Sequence, residues 1–502
     1  MKIPALVVAV ELAALLAGGT AAADSQATSS SAAAAQKDPF AAVRESAARI
    51  AGAIYGDGRG LALLGDLSDS VGARVSGSAG YKHGAEWVAA RLKQLGVADV
   101  KMEPFTIEHG WQRGVARGRI TAPFQRTLHV ESMGWSPATP KGGVHGSLVV
   151  LGDTEPAAVQ AFAATAKGKI VIYDRPRGAP KRSLKLYSQF RASLATLRDA
   201  GALAVLAPMN ESMMNNVIST GTMEFGGKLG ALPTAGIGYE DGKMLVRALD
   251  RGPVTVDLDL PNQVSGPVTM PNVIGEIKGT ARPEEWILIG AHLDSWDFAT
   301  GSQDNGAGVV QVLEAARALI AAGPPRRSIR FAFWGGEEQG LNGSRAYAVA
   351  HEAELGKCVA YLNTDNGAGH VKGWKVEGRK DVRKALEPFA KSVLAGAGGG
   401  ELEMTLTLDT DHFPFVLFGV PALDLLVDGG NYEQVHHQMS DTIDKVDAHS
   451  LESGAAVVAL TAGWLAMTAE PLAPRLDHAG IEEVLKQEEG VLDMLRARGF
   501  WK

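Results

Sequence analysis

The sequence predicts an α/β protein with a largely parallel central sheet, and three observations support this class. From about residue 270 onward, short apolar segments alternate with segments of helical, amphipathic pattern. Near-continuous apolar strands are typical of parallel sheets that are covered by helices on both faces. Polar side chains also follow these apolar segments directly, at the strand ends where ligands gather in such sheets. We therefore expect a three-layer sandwich around a mostly parallel sheet.

The N-terminus has the pattern of an export signal. Lys2 precedes a short apolar segment, and Ala21, Ala22 and Ala23 offer small residues before Asp24. This pattern predicts a signal peptide over residues 1–23 and an exported protein, either periplasmic or secreted. A membrane anchor is the alternative, but the apolar run is short and contains Glu11. The low-complexity residues 24–38 then predict a flexible linker.

Composition narrows the classes of partner. The chain has 502 residues and a net charge of -7 with scattered basic residues, so we expect no nucleic-acid partner. This length favours two or more structural units. The single cysteine, Cys358, excludes an intrachain disulfide and lies in an apolar segment typical of a buried strand. No later segment reaches the ~18 continuous apolar residues of a membrane span, so none is expected after signal removal.

The remaining chain divides into four predicted regions. Residues 39–135, with two helical patterns and an extended run, form the N-terminal part of the principal domain. Residues 136–262 contain short apolar strands, such as GKIVIYDRP, and few residues suited to catalysis. They predict an inserted, β-rich domain. The alternation returns in the catalytic domain, residues 263–472. Residues 473–502 predict a helical tail that packs on its own domain or on another subunit.

Candidate functional residues cluster at the ends of the predicted strands. They are His292 and Asp294 after ILIGA, Asp304 at the following helix, Glu337 and Glu338 after IRFAFW, Asp365 after VAYLNT, and His437 and Asp441 after the last strand. Burying such groups unpaired costs several kcal/mol each, so a cation is expected among them. One site built from four loops explains this placement.

The candidate ligands suit a pair of metal ions. They are His292, Asp304, Glu338, Asp365 and His437. Two imidazoles and three carboxylates fit zinc, although other first-row divalent ions remain open. Five protein ligands are too many for one catalytic zinc, which keeps an open position. They suit two ions about 3.5–4 Å apart that share a carboxylate, for which Asp304 is the candidate.

Three further carboxylates have predicted supporting or catalytic roles. Glu337, next to a ligand, faces the bound water and acts as general acid and base. Asp294 and Asp441 orient the ligating imidazoles of His292 and His437. Taken singly, these residues have ordinary interpretations: Asp304 as a helix cap, or Asp365 as part of a turn. Their common position at strand ends favours the single site. No serine elbow or dinucleotide fingerprint occurs.

The motifs HLDSWD, SQDNGAG, WGGEEQG, LNTDNG and HHQMSDT, in this order, resemble the co-catalytic zinc aminopeptidase family. HLDSWD and the HHxxxDT form are similar to its carboxypeptidase Q subgroup, and GKIVIYDRP and PTAGIGYEDG resemble a protease-associated domain. The resemblance implies a phosphorylase/hydrolase-like fold, two zinc ions per chain, short peptide substrates and a homodimer. It assigns the same five ligands, with His437 preferred to His436, and a strained or cis peptide after Asp304.

The resulting hypothesis is an exported di-zinc exopeptidase that hydrolyses dipeptides or short peptides through a metal-bridging water activated by Glu337. Two alternatives stay open: a single-zinc acyltransferase of the glutaminyl cyclase type, and an inactive binding module of the same fold. Asp411, in TLDTDHFPF, either faces the substrate or caps a helix. The residues do not decide whether the enzyme reads a free amine, a free carboxylate or both.

Overall fold

A computed structural model of the chain describes residues 40–174, 184–208, 214–497 and 500–501. The predicted signal peptide and linker, residues 1–23 and 24–38, lie outside the described residues. From Ala42 onward the chain forms one compact unit.

The described residues form two large sheets and helices that cover them. The strands are β1 (Asp99–Ile107), β2 (Trp111–Gln112), β3 (Arg117–Ala122), β4 (Arg126–Leu128), β5 (Val130–Ser132), β6 (Val144–Leu151), β7 (Ile170–Tyr173), β8 (Ala204–Pro208), β9 (Thr234–Ile237), β10 (Thr255–Asp259), β11 (Gln263–Val264), β12 (Val268–Ile277), β13 (Arg282–His292), β14 (Arg327–Trp334), β15 (Cys358–Asn363), β16 (Val371–Lys375), β17 (Glu401–Glu403) and β18 (Ala422–Val427). The α-helices are α1 (Ala41–Gly56), α2 (Gly60–Gly65), α3 (Ala79–Gln94), α4 (Pro156–Phe162), α5 (Leu184–Asp199), α6 (Tyr239–Leu249), α7 (Ala307–Ala322), α8 (Asn342–Ala350), α9 (Lys380–Ser392), α10 (Phe413–Val416), α11 (Tyr432–Val435), α12 (Ala448–Met467), α13 (His478–Leu485) and α14 (Val491–Ala497).

The first sheet has eight strands in the order β1-β12-β14-β13-β15-β18-β16-β17. Its four central strands, β14, β13, β15 and β18, run parallel to one another. The flanking pairs β1–β12, β12–β14 and β16–β18 are antiparallel, so the sheet as a whole is mixed. The parallel centre is the part that the apolar segments predict, and it brings four strand ends to one edge.

Both faces of this sheet are covered, as its apolar strands require. On one face, Trp286 and Leu288 of β13 pack in a cluster with residues of α8, α10 and the C-terminal tail. Helices α7 and α12 pack against each other and against β13. Alternate residues of a strand point to opposite faces, which is why Ile287 and Ile289 are buried as well. Burial on both faces explains the lack of polar alternation in ILIGA.

The second sheet also has eight strands, in the order β4-β3-β10-β6-β7-β8-β9-β5. Its strands come from residues 117–259, and it has its own apolar core, which includes Ile172, Leu206 and Val256. The short apolar segments predict an insert over residues 136–262, whereas β3, β4 and β5 join this sheet from before residue 136. Polar and apolar residues alternate in these strands as they do in an edge strand of any sheet, so the sequence does not indicate with which strands they pair.

The C-terminal tail packs on its own domain. Ile481, Leu485, Leu492 and Trp501 belong to the cluster that covers β13. Among the described residues, α12 is the one helix with the length and apolar composition of a membrane span, and 83% of its most apolar window is buried inside the protein. Cys358 is buried in β15, as its apolar neighbours indicate.

Candidate metal centre

The predicted site residues meet at the carboxyl edge of the four parallel strands. His292 ends β13, Glu337 and Glu338 follow β14, and Asp365 follows β15. His437 lies in the turn after α11, beyond β18. Asp304 lies between β13 and α7, and its peptide bond to Asn305 is cis, in agreement with the family resemblance. The parallel register therefore explains how residues 145 positions apart in the chain, from His292 to His437, share one site.

One group of candidate ligands surrounds His292. Its Nε2 atom lies 3.1 Å from Oδ1 of Asp365 and 3.3 Å from Oδ1 of Asp304. These three side chains place their ligand atoms within 4.8 Å of one another, as a metal ion requires. Burial lowers the pKa of His292, but Asp365 and the neighbouring carboxylates outweigh it and raise that pKa well above its ordinary value. The carboxylates thus create a strong preference for positive charge here.

A second group forms around His437. Its Nε2 atom lies 2.9 Å from Oε2 of Glu338 and 3.4 Å from Oδ2 of Asp304. The adjacent His436 stacks on His437 with ring centroids 3.8 Å apart, and its Nε2 atom lies 3.6 Å from Asp304. Asp304, His436 and His437 also place their ligand atoms within 4.8 Å of one another. Asp304 belongs to both groups.

Two buried carboxylate oxygens of the candidate ligands have no hydrogen-bond partner in the described part of the chain. They are Oδ2 of Asp304 and Oε1 of Glu338. An unsatisfied buried carboxylate is costly, and divalent ions are the usual partners of such oxygens. Burial raises the pKa of Glu338 well above its ordinary value, and the nearby Asp304 charge adds to this. The donor set therefore fits a divalent metal.

Asp294 and Asp441 hold the backbone of the candidate ligands. The carboxylate of Asp294 accepts hydrogen bonds from the backbone N–H groups of Glu337 (3.2 Å) and Glu338 (3.4 Å). Its Oδ1 atom also lies 3.7 Å from Nδ1 of His292, whose ring nitrogen contacts the Asp294 carbonyl at 2.9 Å. Asp441 accepts from the backbone N–H of Asp304 at 3.1 Å. Asp294 thus contacts the histidine to which the sequence assigns it, whereas the contacts described for the Asp441 carboxylate are with the backbone of Gln303 and Asp304.

Glu337 directly precedes the candidate ligand Glu338 and is only partly exposed. Desolvation raises the pKa of its carboxyl group well above the ordinary value, and the charges of Asp365 and Glu338 add to this. Asp411 is fully buried nearby, and burial raises its pKa to about 8. Asp411 therefore lies beside the predicted ligands, and the N-cap of α10 is the next residue, His412, so Asp411 does not occupy the capping position.

Sequence reasoning missed three residues that support the site. Ser76 donates its hydroxyl to Oδ2 of Asp294 at 2.8 Å, and Trp296 donates its indole N–H to Oε2 of Glu338 at 2.7 Å. Arg74 is completely buried under the loop that follows β13. Trp296 lies inside the motif HLDSWD, so the sequence places it next to predicted site residues. Arg74 lies 219 positions from Leu293 and Ser76 lies 218 positions from Asp294, and nothing local indicates either pairing.

Arg74 fixes the loop that carries Asp304 through four bonds to backbone carbonyls. It donates to Gly72, Leu293, Thr300 and Gly301 at 2.7–2.9 Å. Burial lowers its pKa to about 10, so the guanidinium is still charged at neutral pH. We expect Arg74→Met to lower the free energy of unfolding by roughly 3 kcal/mol or more, because buried carbonyls lose their donors.

Urea unfolding in the presence of a chelator measures this effect of Arg74 without any contribution from bound metal. Arg119→Met is the matched control, since Arg119 pairs with Asp257 at the surface and its side chain is 64% exposed. It should change stability by no more than about 0.5 kcal/mol. Equal stability of the two variants would show that Arg74 is not a structural anchor.

The fold and this site define a class of protein: a mixed α/β enzyme with a metal centre at the carboxyl edge of its central strands. Residues 272–462 match the profile of peptidase family M28. A solved peptidase M28 precursor from Shewanella amazonensis SB2B is 30% identical, with a TM-score of 0.78 over 87% of this chain and 99% of that chain. The chain belongs to peptidase family M28 and is a metallopeptidase.

Two further relatives are similar to this chain over most of its length. Carboxypeptidase Q from Homo sapiens is 29% identical over 431 residues, which cover 84% of this chain and 89% of the relative. A zinc aminopeptidase from Bacillus subtilis is 25% identical, with a TM-score of 0.62 over 84% of this chain and 97% of that chain. Relatives of this similarity confirm the family resemblance carried by HLDSWD and HHQMSDT.

Proposed function

We propose that this metallopeptidase is an exported di-zinc exopeptidase of dipeptides or short peptides. One observation carries the proposal: Asp304 belongs to both groups of candidate metal ligands. A carboxylate with one oxygen toward each group is the arrangement expected of a bridging ligand in a two-metal hydrolytic site. The name of the Bacillus subtilis relative, a zinc aminopeptidase, supports zinc as the ion.

The chain offers a ligand set for each ion. His292 and Asp365 would hold one ion, and Glu338 and His437 would hold the other, with Asp304 shared. We prefer His437 to His436 because the Nε2 atom of His437 lies 2.9 Å from Oε2 of Glu338. When bound, the zinc ions supply Lewis acidity, which polarises a peptide carbonyl and lowers the pKa of a water.

Glu337 would move the proton in this reaction. Its backbone N–H is held by Asp294, so its side chain is directed from a fixed turn beside the ligand Glu338. The carboxylate takes a proton from the attacking water and passes it to the amine that leaves. The same turn thus provides a metal ligand and a general base from adjacent residues.

The other parts of the proposal concern export and assembly. Residues 1–23 would direct export and be removed near Ala23, with either a periplasmic or a secreted product. The second sheet would belong to a protease-associated domain that serves as a lid or an assembly surface, within a phosphorylase/hydrolase-like fold. Resemblance to the carboxypeptidase Q subgroup favours a homodimer. Sedimentation of the purified protein measures that state.

Matched peptides test the proposed activity. We expect zinc-loaded protein to cleave free dipeptides, with slower cleavage when the amine or the carboxylate is blocked, as the carboxypeptidase Q relatives suggest. Cleavage that survives a blocked carboxylate but not a blocked amine would make the protein an aminopeptidase. Absence of all cleavage by protein with a measured zinc content would overturn the proposal. One tight zinc per chain with cyclisation of N-terminal glutamine would favour the acyltransferase alternative.

A further inference from the structure

Trp296 connects the second sheet to a candidate metal ligand. Its side chain is buried, and its Nε1–H group donates to Oε2 of Glu338 at 2.7 Å. The ring also makes an edge contact with the imidazole of His437, with centroids 5.9 Å apart. Trp296 therefore touches both side chains that the proposed function assigns to one of the two zinc ions.

The hydrogen bond from Trp296 directs Oε2 of the Glu338 carboxylate toward the indole ring. An indole N–H can only donate, so it selects an acceptor oxygen of the carboxylate. The other oxygen, Oε1, is buried and has no hydrogen-bond partner in the described part of the chain. A buried tryptophan needs some acceptor for its N–H, and any carbonyl would serve. Here the acceptor is a carboxylate whose second oxygen is left available.

The position of Trp296 is itself set from outside the first sheet. Trp135, which follows β5, contacts the Trp296 ring edge-on with centroids 6.1 Å apart. Trp135 is fully buried and has a left-handed backbone with φ of 56°, and it stacks on Trp111 at 5.7 Å. A Cβ atom on the neighbouring Gly134 would lie 2.2 Å from the Trp296 ring. The close approach of Gly134 and Trp135 thus confines the ring.

We infer that Trp296 is a positioning residue of the metal centre, and that the second sheet, through Gly134 and Trp135, sets the zinc affinity of the ion held by Glu338 and His437. This inference rests on the proposed function, which makes Glu338 a ligand. Partners of this kind, which orient a ligand without touching the metal, typically change metal affinity by roughly 10–100-fold. The insert would therefore be part of the metal centre in addition to any role as a lid.

Trp296→Phe tests the inference, because phenylalanine keeps an aromatic ring and removes the donor. Zinc binding is measured by competition with a chromophoric chelator. We expect one of two zinc ions to bind roughly 10–100-fold more weakly and the other, near His292 and Asp365, to bind as in the unchanged protein. Peptidase activity should fall at limiting zinc and recover in excess zinc, a response that a general loss of folding does not give.

Trp374→Phe is the matched control. Trp374 is fully buried and donates its indole N–H to Oγ1 of Thr461 at 3.0 Å, with no candidate ligand involved. It should leave both zinc affinities unchanged. Gly134→Ala is an independent variant that retains every donor but displaces the Trp296 ring, so it should weaken the same ion. This variant keeps the test decisive if Trp296→Phe fails to fold.

The outcomes separate this inference from the proposed function. If Trp296→Phe or folded Gly134→Ala binds both zinc ions with unchanged affinity, the positioning role is overturned. The proposed function still holds in that case, provided that the unchanged enzyme cleaves peptides. Equal weakening in Trp374→Phe would also overturn it, since any buried tryptophan would then have the same effect. A wild-type chain that binds no zinc would overturn the proposed function instead.

Discussion

Glu337→Gln is expected to abolish nearly all peptidase activity while both zinc ions stay bound. Glutamine has the same shape as glutamate but cannot accept a proton, so kcat should fall by roughly 10²–10⁴-fold. The backbone N–H of residue 337 still donates to Asp294, and therefore the turn that carries Glu338 should keep its conformation. The measurements are kcat with a free dipeptide and the zinc content per chain.

A matched control distinguishes proton transfer from a general effect of charge removal. Glu354 pairs with Arg330 at the surface with half of its side chain exposed, so Glu354→Gln should keep the activity of the unchanged enzyme. The rise in Tm that zinc produces should be the same in Glu337→Gln and in the unchanged protein, because ligand binding to the folded state stabilises it. Comparable turnover in Glu337→Gln would mean that another group is the base.

The sequence predicts the centre of the fold well because burial decides it. The segment ILIGA has to be covered on both faces, and the polar residues that follow have to lie at the edge where parallel strands end. The ends of β13, β14 and β15 follow from this reasoning. The candidate site residues His292, Glu338 and Asp365 lie together in the structure for the same reason.

The outer parts of the fold depend on partners that the sequence does not indicate. β1 and β12 pair antiparallel along nine residues, although local patterning only predicts that each is extended. β3 and β10 also pair although they lie more than a hundred residues apart. Strand propensity describes a suitable surface and does not select the neighbour. This is why a mixed sheet replaces the mostly parallel one expected from the apolar segments.

The sequence also does not indicate the contacts of the residues that support the candidate ligands. The sequence assigns Asp294 and Asp441 to the nearest histidine, but in the structure their carboxylates accept hydrogen bonds from backbone N–H groups far along the chain. Arg74 and Ser76 lie in VGARVSGS, which contains no motif of its own. Their roles follow from tertiary contacts with the loop after β13. Residue types and spacing predict the ligands, while the groups that orient them become apparent only from the packed structure.

Asp304→Asn should remove both metal binding and activity, in contrast to the loss of activity alone at Glu337. Asp304 contributes to both candidate ligand groups, so one substitution weakens the binding of two ions at once. His292, His436 and His437 lower the pKa of Asp304, although its burial raises it. Asparagine keeps the volume of this side chain but removes its negative charge. We expect zinc affinity to fall by more than the roughly 10–100-fold that is typical of an outer partner.

Zinc counting and thermal unfolding measure this result for Asp304→Asn. The variant should bind neither zinc ion tightly at a zinc concentration that saturates the unchanged protein, and zinc should raise its Tm much less. Asp57→Asn is the control, because Asp57 pairs with Arg59 at the surface with 66% of its side chain exposed. Retention of two tight zinc ions by Asp304→Asn would exclude a bridging carboxylate at this position. Loss of only one ion would assign Asp304 to a single group, and the two-metal arrangement would then need a different shared ligand.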